Sequence, residues 1–301
     1  LAAQERSPRD TIVFRANSLN NTGQIGIAGA GRIAQAMGRL LRERGEPVAA
    51  VASRNAEHAK AAAAFIGPSV AAVSYGELSR RATRILIAVS DAAVPTVASL
   101  LARSGMKEGL ALHTCGVRGP EALAPLAAQG VECGALHPLQ TVATREQGLT
   151  SLCGIAFAIT ANGAAAAWAD QIVARLEGRP LRIAPGARPL YHAAAVMASN
   201  YIVGMVAAAV ELLAAAGIPE RDALEALRPL TQASAANAFA LGPAKALTGP
   251  IARGDLETVA AHLQALAGVS IRVEKLYRAA GLHLTELAGN DREEMERLLN
   301  G

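Results

Sequence analysis

Through its first half the chain alternates short continuous apolar runs with longer amphipathic stretches, and after that it turns almost entirely helical. Apolar runs at 25–28, 48–52, 70–73, 84–91, 110–113, 132–136 and 155–160 predict seven strands, with a further short one at 181–184. Several run apolar without alternation, as strands buried on both faces do. Helical spacing at 34–44, 56–65, 75–80, 92–104, 121–129 and 164–177 fills the gaps between them. Strand and helix in strict turn predict an α/β fold: a doubly wound parallel Rossmann-type sheet with ligands outside the carboxyl ends of its strands. Gly178, Pro180, Pro185, Gly186 and Pro189 then cluster and mark a boundary. We expect a dinucleotide-binding domain over 23–183, an all-helical substrate and dimerisation domain over 184–301, and a loosely attached extension over 1–22.

The longest helical pattern, 187–216, reads as one helix of about thirty residues, about 45 Å at the rise of an α-helix. It is apolar on most faces, which raises the question of a membrane span. His192, Ser199 and Asn200 near one end and Gly204 within it favour instead the central helix of a helical domain or dimer. Further helices are expected at 219–227, 229–239, 257–267 and 271–280, and 291–299 reads as charged and solvated.

The densest local signal is the stretch 23–55. An apolar run leads into Gly29-Ala30-Gly31-Arg32-Ile33-Ala34, a helical pattern follows to Arg44, Gly45 stops it, and a second apolar run begins at Val48. That is the βαβ context that gives a G-x-G-x-x-G/A motif its meaning. Gly29 permits a sharp turn, Gly31 lets a pyrophosphate approach the backbone, and Ala34 lets the helix pack on its strand. The free N–H groups and positive end of the helix then hold the phosphates. After the second strand come Ser53-Arg54-Asn55, with no carboxylate until Glu57. An acidic residue there would bind a free ribose 2′-hydroxyl, whereas a hydroxyl and a guanidinium suit a 2′-phosphate. The expected cofactor is NADP(H). Val89 and Ser90 at the end of the fourth strand, and Thr114 at the end of the fifth, complete the expected cofactor set.

His137 stands just past the predicted sixth strand, where it would face nicotinamide and substrate. Arg188, His192 and Ser199 share roughly one helix face, with Asn200 at its margin. Polar groups on an apolar helix need partners, and a substrate facing the nicotinamide would supply them. Lys245 sits in a stretch punctuated by Gly242, Pro243, Gly249, Pro250 and Gly254, either a connector or a substrate-facing lid.

Composition adds little to the fold and more to the partners. Apolar residues make up 51% and aromatics 3%, so the core must be built from Ala, Leu, Val and Ile. The net charge of +4 is scattered, with no basic block interleaved with aromatics, so no nucleic-acid surface is expected. The mild positive bias suits an anionic cofactor and a small, anionic substrate. Three isolated cysteines, an odd number without C-x-x-C spacing, argue against a disulfide framework or a metal site and for the cytoplasm. The segment 1–22 lacks the apolar core of a secretion signal.

The strings Gly29-Ala-Gly-Arg-Ile, His137-Pro-Leu-Gln-Thr, Tyr191-His-Ala-Ala-Ala-Val, Ala198-Ser-Asn-Tyr and the long run from Gly242 to Asp255 resemble a bacterial family. That family pairs an N-terminal Rossmann-like domain with a C-terminal helical domain of unknown function. The resemblance covers about residues 23–290. The family looks like a branch of the group holding 6-phosphogluconate, 3-hydroxyisobutyrate, ketopantoate and pyrroline-5-carboxylate reductases. The kinship implies NADP binding, hydride transfer and homodimers with intertwined helical domains. Better-known relatives open the long helix with a catalytic Lys and, one turn on, Asn; here Arg188 and His192 stand at the similar places. Arginine stays protonated and can clamp a carboxylate but not donate a proton. A histidine can change charge near neutral pH, so His192 becomes the candidate acid, Ser199 and Asn200 orient the carbonyl, and Arg188, Lys245 and His137 bind substrate. The expected activity is NADPH-dependent reduction of a small, ketopantoate-like keto acid or related carbonyl. The alternatives are an NADP(H)-binding sensor without turnover, and a deazaflavin-dependent NADP oxidoreductase with a wide apolar cleft.

Overall fold

The structure, a computed structural model, describes residues 23–184, 186–289 and 293–301, so the expected extension over 1–22 lies outside the described residues. The chain divides after Ala195 into two compact units.

The first unit opens with β1 (Ile25–Ala28), α1 (Arg32–Glu43), β2 (Val48–Ala52), α2 (Ala56–Ile66), β3 (Ala71–Val73), α3 (Tyr75–Arg81) and β4 (Arg84–Ile87). After a 3₁₀ turn at Asp91–Ala93 come α4 (Val94–Arg103) and β5 (Leu110–His113). A second 3₁₀ turn, Pro120–Leu123, leads to α5 (Ala124–Ala127), β6 (Glu132–Pro138), α6 (Arg145–Ser151), β7 (Ala156–Ala161), α7 (Gly163–Arg175), β8 (Arg179–Arg182) and α8 (Arg188–Met197). They build one eight-stranded sheet in the order β3-β2-β1-β4-β5-β6-β7-β8. Its first six strands are parallel and carry the Rossmann order 3-2-1-4-5-6.

The expected doubly wound parallel sheet is present with one antiparallel pairing: β7 runs antiparallel to β6, with Pro138 opposite Phe157. A parallel return needs a crossover long enough to recross the sheet. The link here, 139–155, has that length but does not recross: its helix α6 packs beside α1, and the chain re-enters where β6 ended. Strand β8 then pairs in parallel with β7.

Two apolar clusters cover the faces of this sheet. Ile25, Ile27, Met37, Leu41, Ile66, Phe157 and Trp168 lie on one side, and Ile85, Ile87, Val94, Leu101, Leu123 and Leu126 on the other. Side chains alternate faces along a strand, so one apolar run feeds both. The Cα of Gly38 in α1 is so close to the sheet that an added Cβ would lie 2.8 Å from Ile66 and 3.4 Å from Ile27. That closeness brings the helix's amino end up against the end of β1.

The second unit holds α9 (Asn200–Ala215), α10 (Glu220–Leu241), α11 (Pro243–Ala246), α12 (Pro250–Arg253), α13 (Leu256–Ala267), α14 (Ile271–Ala288) and α15 (Glu293–Asn300). Its core gathers Val259, Leu263, Met295 and Leu299. The expected single helix over 187–216 is broken: α8 and α9 meet at Ser199, whose φ of −130° and ψ of −74° are not helical. The stretch expected to be charged and solvated, 291–299, instead contains an amphipathic helix. Met295 and Leu299, four residues apart, share its buried face while Glu293, Glu294, Glu296 and Arg297 stay exposed. By length and composition, Arg188–Ala215 is, among the described residues, the one stretch that would suffice to cross a membrane, and none of its most apolar window is buried.

Candidate active-site cleft

The carboxyl ends of the parallel strands open onto a cleft of about 930 Å³, all of it walled by the first unit. Such a volume suits a cofactor with a small substrate. Its two ends are built differently.

At one end stands the amino terminus of α1. Gly29 ends β1 with φ +132°, and a Cβ there would sit 2.1 Å from the Ala88 carbonyl oxygen. Only glycine allows β1 and β4 to close so tightly at the crevice. Gly31 caps the helix without any side-chain hydrogen bond, and the first intrahelical bond is Gln35 N–H to Gly31 O, at 3.0 Å. The preceding N–H groups are therefore left for a ligand, and no atom lies within 4 Å of where a Gly31 Cβ would be. This uncapped, unobstructed helix end fits the pyrophosphate of a dinucleotide. Arg32 reaches from it to donate to Ala143 O at 2.8 Å.

The β2 side of the same end carries Ser53 and Arg54 just past the strand, with His58 and Tyr75 also lining the cleft. Asn55 caps α2 by accepting from the Glu57 and His58 N–H groups at 2.8 and 3.2 Å. Glu57, the first carboxylate after the strand, turns to Lys60 at 2.8 Å. It does not line the cleft. Every residue expected at the cofactor, Gly29, Ala30, Gly31, Arg32, Ile33, Ser53, Arg54, Val89, Ser90 and Thr114, does line it.

The other end is assembled from β5, β6 and α8. Gly116, His137 and His192 line it, together with Asp91 from the start of the 3₁₀ turn after β4. The two imidazoles meet edge to face with centroids 5.9 Å apart. A Cβ on Gly116 would lie 2.3 Å from His192 Cδ2, 2.9 Å from His192 Nε2 and 3.1 Å from His137 Nε2. Gly116 thus keeps open the space that both rings face. His137 Nδ1 is hydrogen-bonded to the Tyr191 hydroxyl at 2.7 Å. Burial, then the Arg188 charge and His192, depress His137 to about 4, so it is neutral at physiological pH. Burial pushes Tyr191 up to about 12, against a smaller opposing pull from Arg188.

The remaining sequence candidates, and two further polar side chains near the end of β5, fall as follows. Arg188, expected to clamp a carboxylate, is 1% exposed and absent from the cleft wall. Its guanidinium donates to Cys115 O at 2.7 Å and Thr160 Oγ1 at 3.1 Å, pinning α8 to the ends of β5 and β7. His113 is fully buried, with Nδ1 accepting from the Cys115 N–H at 3.2 Å and Nε2 donating to Gly119 O at 2.9 Å. Both ring nitrogens are used by backbone, and burial above all depresses it to about 4. Cys115 is buried and its thiol pushed up by desolvation, the mark of an unreactive side chain. Ser199, Asn200 and Lys245 belong to the second unit. Ser199 Oγ donates to Asn200 Oδ1 at 3.0 Å, and Lys245 is exposed on α11. Asp91 and Gly116 stand next to strand ends, a position that by sequence alone puts them beside the crevice; Tyr191 was not among the expected site residues, and its part emerges only from the packing of α8 on β6.

Two family models match the chain: the Rossmann-like domain over residues 14–138, and the domain of unknown function DUF2520 over residues 155–284. Among solved structures it is similar to a candidate NADP oxidoreductase from Bacteroides fragilis, at 25% identity and TM-score 0.71, covering 88% of this chain and 98% of that one. Protein TM1727 from Thermotoga maritima is similar at 19% identity and TM-score 0.68, with the same coverage. A Plasmodium falciparum pyrroline carboxylate reductase with NADP bound shares the fold at 12% identity and TM-score 0.57, covering 89% of this chain and 98% of that one. No curated protein matches. Read from its amino end, the chain joins a stretch matched by the Rossmann-like domain model to one matched by the DUF2520 model.

Proposed function

We propose that the protein is an NADP(H)-dependent oxidoreductase that reduces a small keto acid or related carbonyl compound, ketopantoate-like in size. The observation that carries this is one cleft with an uncapped helix end and Arg54 at one side and two facing histidines at the other. The likeness to the Bacteroides fragilis protein and to an NADP-bound reductase supports the cofactor. The backbone from Gly29 to Ile33 holds the pyrophosphate, Ser53 and Arg54 hold the 2′-phosphate, and Val89, Ser90 and Thr114 flank the nicotinamide. When bound, the cofactor supplies a hydride. His192 donates the proton that the product oxygen needs. His137 contacts the substrate. The guanidinium of Arg188 is held by Cys115 O and Thr160 Oγ1 rather than by a substrate carboxylate. Charged and polar groups along the cleft support a small polar substrate over a flat deazaflavin ring.

The domains divide the work, 23–183 for the cofactor and 184–301 for substrate and dimerisation. A homodimer is supported by bare apolar side chains on the helices: Leu190, Val203 and Phe239 are 78%, 70% and 89% exposed. The apolar stretch Arg188–Ala215 is then covered by a second copy rather than by lipid. Three free cysteines support a reducing, cytoplasmic setting.

The test is a panel of keto acids, ketones and cyclic imines assayed by loss of NADPH absorbance, with His192→Ala beside the wild type. Reduction of one member, abolished in the variant while NADPH still binds, is expected. Undiminished turnover in the variant would remove His192 from its role. An inert wild type that binds NADPH tightly would favour a sensor without turnover.

A further inference from the structure

Tyr191, paired with His137, is left without a purpose by the reading above. The hydroxyl meets Nδ1 at 2.7 Å and the rings stand edge to face, 5.8 Å between centroids. His137 lines the cleft and Tyr191 does not. The free nitrogen, Nε2, faces the opening kept by Gly116.

A neutral imidazole has one donor nitrogen and one acceptor, so whatever Nδ1 does fixes Nε2. If Nδ1 carried the proton, the ring would turn a bare lone pair to the cleft. If the phenol donates to Nδ1, the ring turns an N–H to it. The guanidinium of Arg188 decides between them: its carbon lies 5.9 Å from the centre of the Tyr191 ring. A fixed positive charge there weakens the phenolic oxygen as an acceptor, while burial, the larger effect on the phenol, keeps the hydroxyl protonated and able to donate. The other charged or titratable groups around His137 are His192 on α8, Asp91 at the start of the 3₁₀ turn, and His113 on β5. Arg188, His192 and His113 all oppose an imidazolium at His137, and Asp91 alone favours it.

We propose that Tyr191 is a positioning residue that donates its hydroxyl proton to His137 Nδ1 and locks His137 as the Nε2–H tautomer, so that the cleft presents a neutral N–H donor to the substrate oxygen. This rests on reading the cleft as a reductase site. A neutral imidazole N–H can polarise a carbonyl without giving up its proton. The two histidines then divide the labour, His137 polarising and His192 supplying the proton.

The experiment is ring-nitrogen NMR on the full chain labelled with ¹⁵N-histidine, assigned with His137→Gln and repeated on Tyr191→Phe. The wild type should show His137 as a single Nε2–H tautomer throughout pH 6–8. In Tyr191→Phe the signals should shift toward a mixture of tautomers while the melting temperature stays close. On the substrate found by the panel, Tyr191→Phe should lower kcat about 10-fold with the KM for NADPH unchanged. His137→Gln, which keeps an N–H donor, should retain at least 10-fold more activity than His137→Ala. A wild-type spectrum of the Nδ1–H form, or a Tyr191→Phe spectrum like the wild type, overturns the proposal. The spectrum needs no substrate, so a panel without any reduced compound would sink the reductase reading and leave the tautomer decided on its own.

Discussion

The two ends of the cleft are made in different ways. The proposed phosphate end is local: Gly29 to Ile33 and Ser53-Arg54 lie within one βαβ unit, and much of the chemistry there belongs to backbone N–H groups and one glycine conformation. The proposed reacting end is collected from afar: Gly116 follows β5, His137 closes β6, and Tyr191 and His192 stand on α8. Backbone chemistry at a helix terminus tolerates most side-chain change but no change at its glycines. A constellation of side chains behaves the opposite way, since each member depends on elements that must arrive separately. It should therefore fail in rate before it fails in binding.

Four measurements bear on that contrast, from the largest expected effect to the smallest. Gly29→Ala should be the most damaging. A side chain at φ +132° with a carbonyl oxygen 2.1 Å from its Cβ must spread β1 from β4. Loss of about 3 kcal/mol or more of stability is expected by calorimetry, together with loss of NADPH binding.

Acid should strike the reacting end first. His113 and His137 are both held neutral, at about 4 rather than the ordinary 6.5. A depressed folded pKa stabilises the fold above the unfolded value and loses that contribution as pH falls through the folded one. Arg188 opposes protonation of both rings; Asp91 favours it in both, and Glu121 favours it in His113. Stability should fall between pH 6.5 and 4, by up to about 3 kcal/mol for each histidine at 1.36 kcal/mol per unit. Denaturant titrations across that range, with His113→Gln as control, measure it. A flat profile would mean that neither ring is held as described.

Gly116→Ala sharpens the contrast at a single atom. Its methyl would sit 2.3 Å from the His192 ring and 3.1 Å from His137 Nε2, displacing one or both. NADPH affinity by fluorescence titration should change less than about twofold while turnover drops about 100-fold, the scale of a 1 Å misplacement. If affinity falls as far as turnover, the two ends are not separable. Arg54→Ala is the smallest of the four. It should cost NADPH about 10-fold in affinity, about 1.4 kcal/mol, and leave NADH unchanged. Equal losses for both nucleotides would remove Arg54 from the 2′-phosphate.

The phosphate end was legible because its rule is written in consecutive residues. Gly-x-Gly between two apolar runs dictates a turn, a helix start and a strand whatever surrounds them, and a largely parallel sheet followed from strand alternating with helix. The antiparallel β7 was not legible, since an apolar run of six residues carries no direction. Nor was the burial of Met295 and Leu299, where dense charge hid the four-residue spacing. Arg188 shows the limit most clearly. Sequence gave its charge and helix face, and from those a substrate clamp was reasonable. Packing gave it Cys115 O and Thr160 Oγ1 as partners instead.

By itself, then, the amino-acid sequence determined what depends on neighbours along the chain: the crevice, the bare helix terminus and the missing acidic residue after β2. Only the tertiary structure decided which imidazole faces which. That outcome hangs on α8 being pinned by a buried guanidinium and on one position without a side chain, both consequences of contacts between elements that no local spacing encodes.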